Sequence, residues 1–155
     1  MIQAFCSKYL TPTKHCRRLS VLLTVHNKPQ VSQHQIAKKT NLSSSMVNNY
    51  IKILKKDGVI TVSGKTNRTH SYHLTAAGGD ELISSLISYS TEIIQLYGAA
   101  KRELSQRLQA LHAEGTHNLA LFGAADTAEV VHAALKDTGM AVRAIVDSDP
   151  NKQGK

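Results

Sequence analysis

Ser44, Ser45, Asn48, Asn49 and Lys52 are interleaved with Val47, Ile51 and Leu54 over eleven residues. At 3.6 residues per turn the apolar three fall on one face of a helix and the polar five on the other. The polar set is short hydroxyls, then carboxamides, then a cation. A carboxamide can pair with the N6 and N7 edge of adenine, and lysine can reach guanine O6 and N7. Small serines in the first turn let a backbone approach closely, and the amides there also favour a phosphate.

The surrounding charge suits such a ligand. Met1 to Gly79 contains twelve Lys and Arg against one carboxylate, Asp57, a formal +11 with histidines neutral. Asp80 to Lys155 contains seven basic and ten acidic side chains, a formal −3. All the excess positive charge of the 155-residue chain therefore lies in its first half, which attracts a polyanion. Double-stranded DNA is the expected partner, because each neutralised phosphate releases condensed counterions. Lys38, Lys39, Lys55 and Lys56 are suited to clamp phosphates, which position a duplex without reading it. Lys65, Asn67 and Arg68 occupy a polar tip, Ser63 to His70, that can reach the backbone or the minor groove.

These groups need elements to hold them. Leu19, Leu22, Leu23 and Val25 predict a first helix over Thr13 to His26, ended by Asn27-Lys28-Pro29. Ser32 and Gln35 have capping-box spacing and predict a short second helix, with Ile36 and Ala37 inward and Lys38 and Lys39 outward. Thr40-Asn41 makes the turn, Leu42 plugs it, and Ser43 caps the helix carrying the polar face. Met46, Val47, Tyr50, Ile51 and Leu54 form its apolar stripe, and Asp57-Gly58 stops it. Strands Val59–Val62 and Ser71–Leu74 then flank the basic tip. Three helices followed by a β-hairpin is the order of a winged helix-turn-helix.

The stretch HQIAKKTNLSSSMVNNYIKILKKDGVITV, followed by RTHSYHLTAAG, resembles the winged-helix regulators of the MarR and related groups. The resemblance covers about residues 13–79. It implies a transcription regulator that binds operator DNA as a dimer. Ser44, Ser45, Asn48 and Asn49 would then read bases, and Lys65 with Arg68 would make the wing contact. In that family the dimer interface usually uses helices at both ends of the chain, whereas here an extra helix is expected only on the C-terminal side.

From Thr75, a plausible N-cap, apolar residues recur at Leu82, Leu86, Tyr89, Ile93, Leu96, Ala100, Leu104, Leu108 and Leu111. Steps of three and four predict one long helix with a near-heptad seam, read as a coiled-coil dimerisation helix. A homodimer would set two reading helices one DNA turn, about 34 Å, apart.

The last segment predicts a strand at Asn118 to Phe122, a helix from Thr127 to Asp137 and a strand at Ala141 to Val146. This is the opening of a βαβ unit and resembles the start of Rossmann-like domains. A nucleotide or nucleotide-sugar effector is the ligand class such a unit takes. Gly123 would admit its backbone, Asp126 and Thr127 would meet a phosphate at the helix start, and Asp147 would face ribose hydroxyls. Only one glycine of the G-x-G-x-x-G pattern is present. The unit ends after its second strand, so the chain is expected to be a piece of a longer protein or to complete the unit in a dimer.

The expected fold class is therefore mainly α with a small β-wing, a long dimerisation helix and a partial α/β unit. The expected domains are 1–75, 76–115 and 116–155. Cys6 and Cys16 give neither a disulfide framework nor a zinc motif. No apolar run is long enough for a bilayer and no signal peptide is evident, so no membrane partner and a cytoplasmic location are expected. The histidines are scattered, and His70 and His73 lack a third metal ligand. No catalytic constellation emerges, which places a nucleotide- or sugar-modifying enzyme with an accessory winged domain second to the regulator.

Overall fold

The structure, a computed structural model, describes residues 11–64 and 70–152. Its contacts divide the chain into two units, Met1–Ser90 and Thr91–Lys155.

In the first unit, α1 (Lys14–Asn27) starts at Thr13, whose hydroxyl accepts the Cys16 amide at 3.1 Å. Leu19, Val21, Leu22 and Val25 form its buried face. The helix α2 (Gln33–Thr40) opens with a reciprocal capping box. The Gln35 amide donates to Ser32 Oγ and the Ser32 amide donates to Gln35 Oε1, both at 3.2 Å. Asn41 leaves α2 in the left-handed region at φ +54°, which Asn tolerates better than most residues. Ser43 then caps α3 (Ser44–Lys56) by accepting the Met46 amide at 3.2 Å. Gly58, at φ +71°, lets the chain turn out of α3 past Asp57.

The first strand of the hairpin is shifted one residue along the chain from the expected Val59–Val62. β1 (Ile60–Ser63) pairs antiparallel with β2 (Ser71–Leu74), Ile60 opposite Leu74 and Ser63 opposite Ser71. Val59 is outside the strand because its amide closes back onto the Leu54 carbonyl at 2.9 Å while its own carbonyl accepts the Thr75 amide at 3.1 Å. The Tyr72 amide donates to the Pro29 carbonyl at 2.8 Å, tying β2 to the turn between α1 and α2.

One core joins these elements. Leu22, Val31, Ile36, Val47, Leu54, Ile60 and Tyr72 are buried in it. Each such aliphatic side chain contributes about 1.5–3 kcal/mol through loss of apolar surface to water. Leu82, with Leu86 and Tyr89 beside it, brings the start of α4 (Ala76–Ala113) into the same core. Thr75 organises that start, accepting the Gly78 amide at 3.0 Å and donating to the Gly58 carbonyl at 2.7 Å.

In the second unit the later turns of α4 pack with β3 (Asn118–Phe122), α5 (Asp126–Leu135) and β4 (Ala141–Val146). Leu108, Ala134, Leu135 and Met140 are the centre of this small core. Ser105 Oγ is buried and donates to the Ala134 carbonyl at 3.0 Å, so this buried hydroxyl is satisfied. Strands β3 and β4 are parallel, with a register shift after Leu119 that leaves Arg143 unpaired. A 3-10 turn, Pro150–Lys152, follows.

The long helix departs from the expected seam. Leu82, Leu86 and Tyr89 pack into the first core, and Leu104 and Leu108 into the second. These seam positions are used inside the chain and are not free for a partner helix, so a continuous coiled coil through them is not what forms. Other seam residues, Ile93, Leu96 and Leu111, are exposed, as are Ile83, Ile87, Ile94 and Tyr97, which widened the predicted stripe. No helix among the described residues is long and apolar enough to cross a membrane.

Candidate nucleic-acid interface

Ser44, Ser45, Asn48, Asn49 and Lys52 are all exposed on α3, opposite the buried Val47, Ile51 and Leu54. Ser45 Oγ lies 3.0 Å from the capping Ser43 Oγ. Lys38 and Lys39 are exposed in the last turn of α2, and Lys55 and Lys56 in the last turn of α3. Cations there also complement the negative end of each helix dipole. Lys65, Asn67 and Arg68 fall outside the described residues, so the wing contact is carried only by the expectation from sequence.

The helix α3 is held at its C-terminal end by an ion network. The Arg18 guanidinium donates through Nε and Nη2 to the two carboxylate oxygens of Glu81, the second contact at 2.9 Å. Its Nη1 donates to Asp57 Oδ2 at 2.9 Å. These bonds, that to Glu81 first, hold Arg18 above its usual pKa. Asp57, the residue that ends α3, is thereby fixed to α1, and Glu81 near the start of α4 to the same guanidinium. The lone acid among the first 79 residues has a structural task. Sequence reasoning passed over this network, and the scarcity of acids in that segment was the signal available.

A second group went unremarked. Lys14, His15 and Arg17 on α1 border a depression of about 410 Å³ whose α3 wall includes Asn49, Tyr50 and Ile53. The Tyr50 hydroxyl donates to the Lys14 carbonyl at 3.4 Å, drawing the two helices together there.

In the second unit, Gly123 takes φ +100° and donates its amide to the Val146 carbonyl at 2.7 Å. Asp126 and Thr127 stand exposed at the start of α5, after Ala125, which makes no side-chain cap. The first turn of α5 carries Asp126 and Glu129, a poor surrounding for a phosphate. Asp147 differs from the role expected of it. Its Oδ2 accepts the Ala124 amide at 2.7 Å and its Oδ1 the Asp149 amide at 2.8 Å. Lys152 Nζ stands 3.4 Å from Oδ2. The Asp149 amide, then the Ala124 amide, hold the Asp147 carboxylate below its usual pKa. It closes its own loop where ribose hydroxyls were expected. Among the described residues no three His, Cys, Asp or Glu side chains gather as a metal site.

Residues 17–61 match the family described as winged helix-turn-helix DNA-binding. No curated protein matches the chain. Among solved structures the chain is similar to a MarR family protein of Mycobacterium tuberculosis, Rv2887, bound to p-aminosalicylic acid. The two are 17% identical over 66% of this chain and 79% of that one, with a TM-score of 0.48. It is similar at 21% identity to a probable transcriptional regulator from Pseudomonas aeruginosa, over 70% of this chain and 80% of that one, with a TM-score of 0.48. MepR, a transcription regulator of the Staphylococcus aureus multidrug efflux pump MepA, is 17% identical over 63% of this chain and 74% of that one, with a TM-score of 0.46. The family match ends at residue 61 and gives no support to the Rossmann-like reading of the last segment; the assignment of the first unit stands on that match and the geometry of α1 to β2. The first unit of this chain has the winged helix-turn-helix fold.

Proposed function

We propose that the protein is a transcription regulator that binds a specific double-stranded DNA site as a homodimer. The observation that carries this reading is the exposed face of α3. Its serines, asparagines and Lys52 stand free of the core, in a unit whose described carboxylates near α3 are already tied to Arg18. Asn48 and Asn49 would select bases, and Lys38, Lys39 and Lys55 would hold phosphates, with Lys65, Asn67 and Arg68 added by the wing.

Exposed apolar side chains on α4 support the dimer. Ile83 and Ile87 in the first unit are 60% and 63% exposed, and Ile94 in the second is 68% exposed. Burying such a group on a second copy removes apolar area from water at about 25 cal/mol per Å². No effector is assigned, because Asp147 is engaged by its own loop.

Selection of bound sites from random duplexes tests the proposal. A recovered palindrome with half-sites about 34 Å apart supports both the specificity and the dimer. Recovery of no preferred sequence would remove the specificity reading, and a single unrepeated half-site would remove the dimer.

A further inference from the structure

We infer that Lys14, His15 and Arg17 form a second phosphate-binding edge, which grips the DNA strand passing the Asn49 side of α3. The inference rests on the proposal that α3 reads duplex DNA, and it adds contacts from a helix outside the helix-turn-helix pair.

Three observations meet at this edge. The depression between α1 and α3 has Lys14, His15 and Arg17 on one wall and Asn49 on the other. A ligand seated there is therefore adjacent to a base-reading side chain. The charge is uncompensated among the described residues: Lys14 and Arg17 make no salt bridge, and the first turn of α1 contains no acid. Arg18, one residue on, shows the contrast, since Glu81 and Asp57 neutralise it. Cations left clustered this way repel one another, and a bound anion relieves that repulsion. The opposite side of α1 is committed to the core through Leu19, Leu22 and Val25, so these side chains have no packing task there.

Tyr50 and Ile53 add apolar surface to the α3 wall of the depression. A lining of cations beside apolar side chains suits a sugar-phosphate strand, whose deoxyribose is apolar and whose phosphate is anionic. A helix in the major groove, about 12 Å wide, has a phosphate strand on each flank. The cations of α2 serve one flank and those of α1 the other. Contacts of this kind raise affinity without reading sequence.

The test measures the salt dependence of duplex binding by the full chain and by Lys14→Ala/Arg17→Ala. Each phosphate contact contributes about 0.9 to the slope of log K against log salt. The double variant should lose about 1.8 from that slope, keep the preferred sequence, and melt at the same temperature. The charge-keeping variant Lys14→Arg/Arg17→Lys should restore the slope. A wild-type slope retained in the alanine variant overturns the inference, while a loss of slope in Lys38→Ala/Lys39→Ala in the same experiment leaves the DNA-binding reading in place. Absence of duplex binding by the wild type overturns both.

Discussion

Arg18 and Glu81 lie 63 positions apart and meet side by side, guanidinium against carboxylate. This fork joins the α1 helix to the beginning of α4, and the third arm of Arg18 reaches Asp57 at the end of α3. Bidentate pairs of this kind fix geometry as well as contributing energy. The side chains are about a quarter exposed, 21% for Arg18 and 28% for Glu81, which places the pair between surface and buried cases.

Glu81→Gln keeps the shape of the side chain and removes its charge. Arg18 then retains only Asp57, and stability should fall by about 1–2 kcal/mol, above the range of exposed pairs and below that of fully buried ones. Chemical denaturation of the variant measures this directly. A change under a few tenths of a kcal/mol would mean that the fork is ornamental. The double substitution Arg18→Met/Glu81→Leu should recover much of the loss, since apolar replacements of both partners avoid a stranded charge.

Gly78→Ala should be among the most damaging small substitutions. A Cβ at that position would stand 2.1 Å from the Val59 carbonyl oxygen, a backbone atom with nowhere to retreat. That oxygen already accepts the Thr75 amide. We expect a loss of more than about 2 kcal/mol, at the upper end for overpacking. Gly79→Ala, whose Cβ would meet nothing within 4 Å, should be neutral or stabilising, because alanine favours a helix by up to about 1 kcal/mol over glycine. Equal melting temperatures for the two variants would contradict the close approach.

Asp147 gives the second unit an acid limb. Its carboxylate is held below the usual value by the Asp149 and Ala124 amides and by Lys152. A folded pKa depressed in this way adds stability that is complete above the unfolded value, about 3.9. That stability is lost as pH falls through the lower folded value. Melting of the wild type should therefore decline below about pH 4. Asp147→Asn should melt lower at neutral pH and show a flatter decline in acid. Parallel curves for the two proteins would show that the loop does not depend on the charge.

The first unit was largely legible because its signals are local. Ser32 with Gln35, Asn41, Ser43 and Gly58 punctuate the chain within three or four residues of what they control, and each acts in the structure as its type implies. Long-range relations were not legible. Nothing in the spacing shows that Arg18 meets Glu81, or that Val59 leaves the strand to accept the Thr75 amide. The seam of α4 misled for a physical reason: a heptad pattern records which face is apolar and says nothing of what covers it. Leu82 and Leu108 are covered by their own units, and Ile87 and Ile94 remain in water. The loop bonds of Asp147 were not legible either, since a carboxylate after a strand suits a loop amide as well as a ribose.

The central claim is that the exposed face of α3 reads bases. Measuring the affinity of Asn48→Ala and Asn49→Ala for a selected duplex, and for single-base variants of it, tests this most directly. The account predicts that each substitution relaxes discrimination at one base position by about 1–3 kcal/mol, leaving nonspecific binding and its salt slope unchanged. Undiminished discrimination at every position in both variants, with the fold intact, would contradict it.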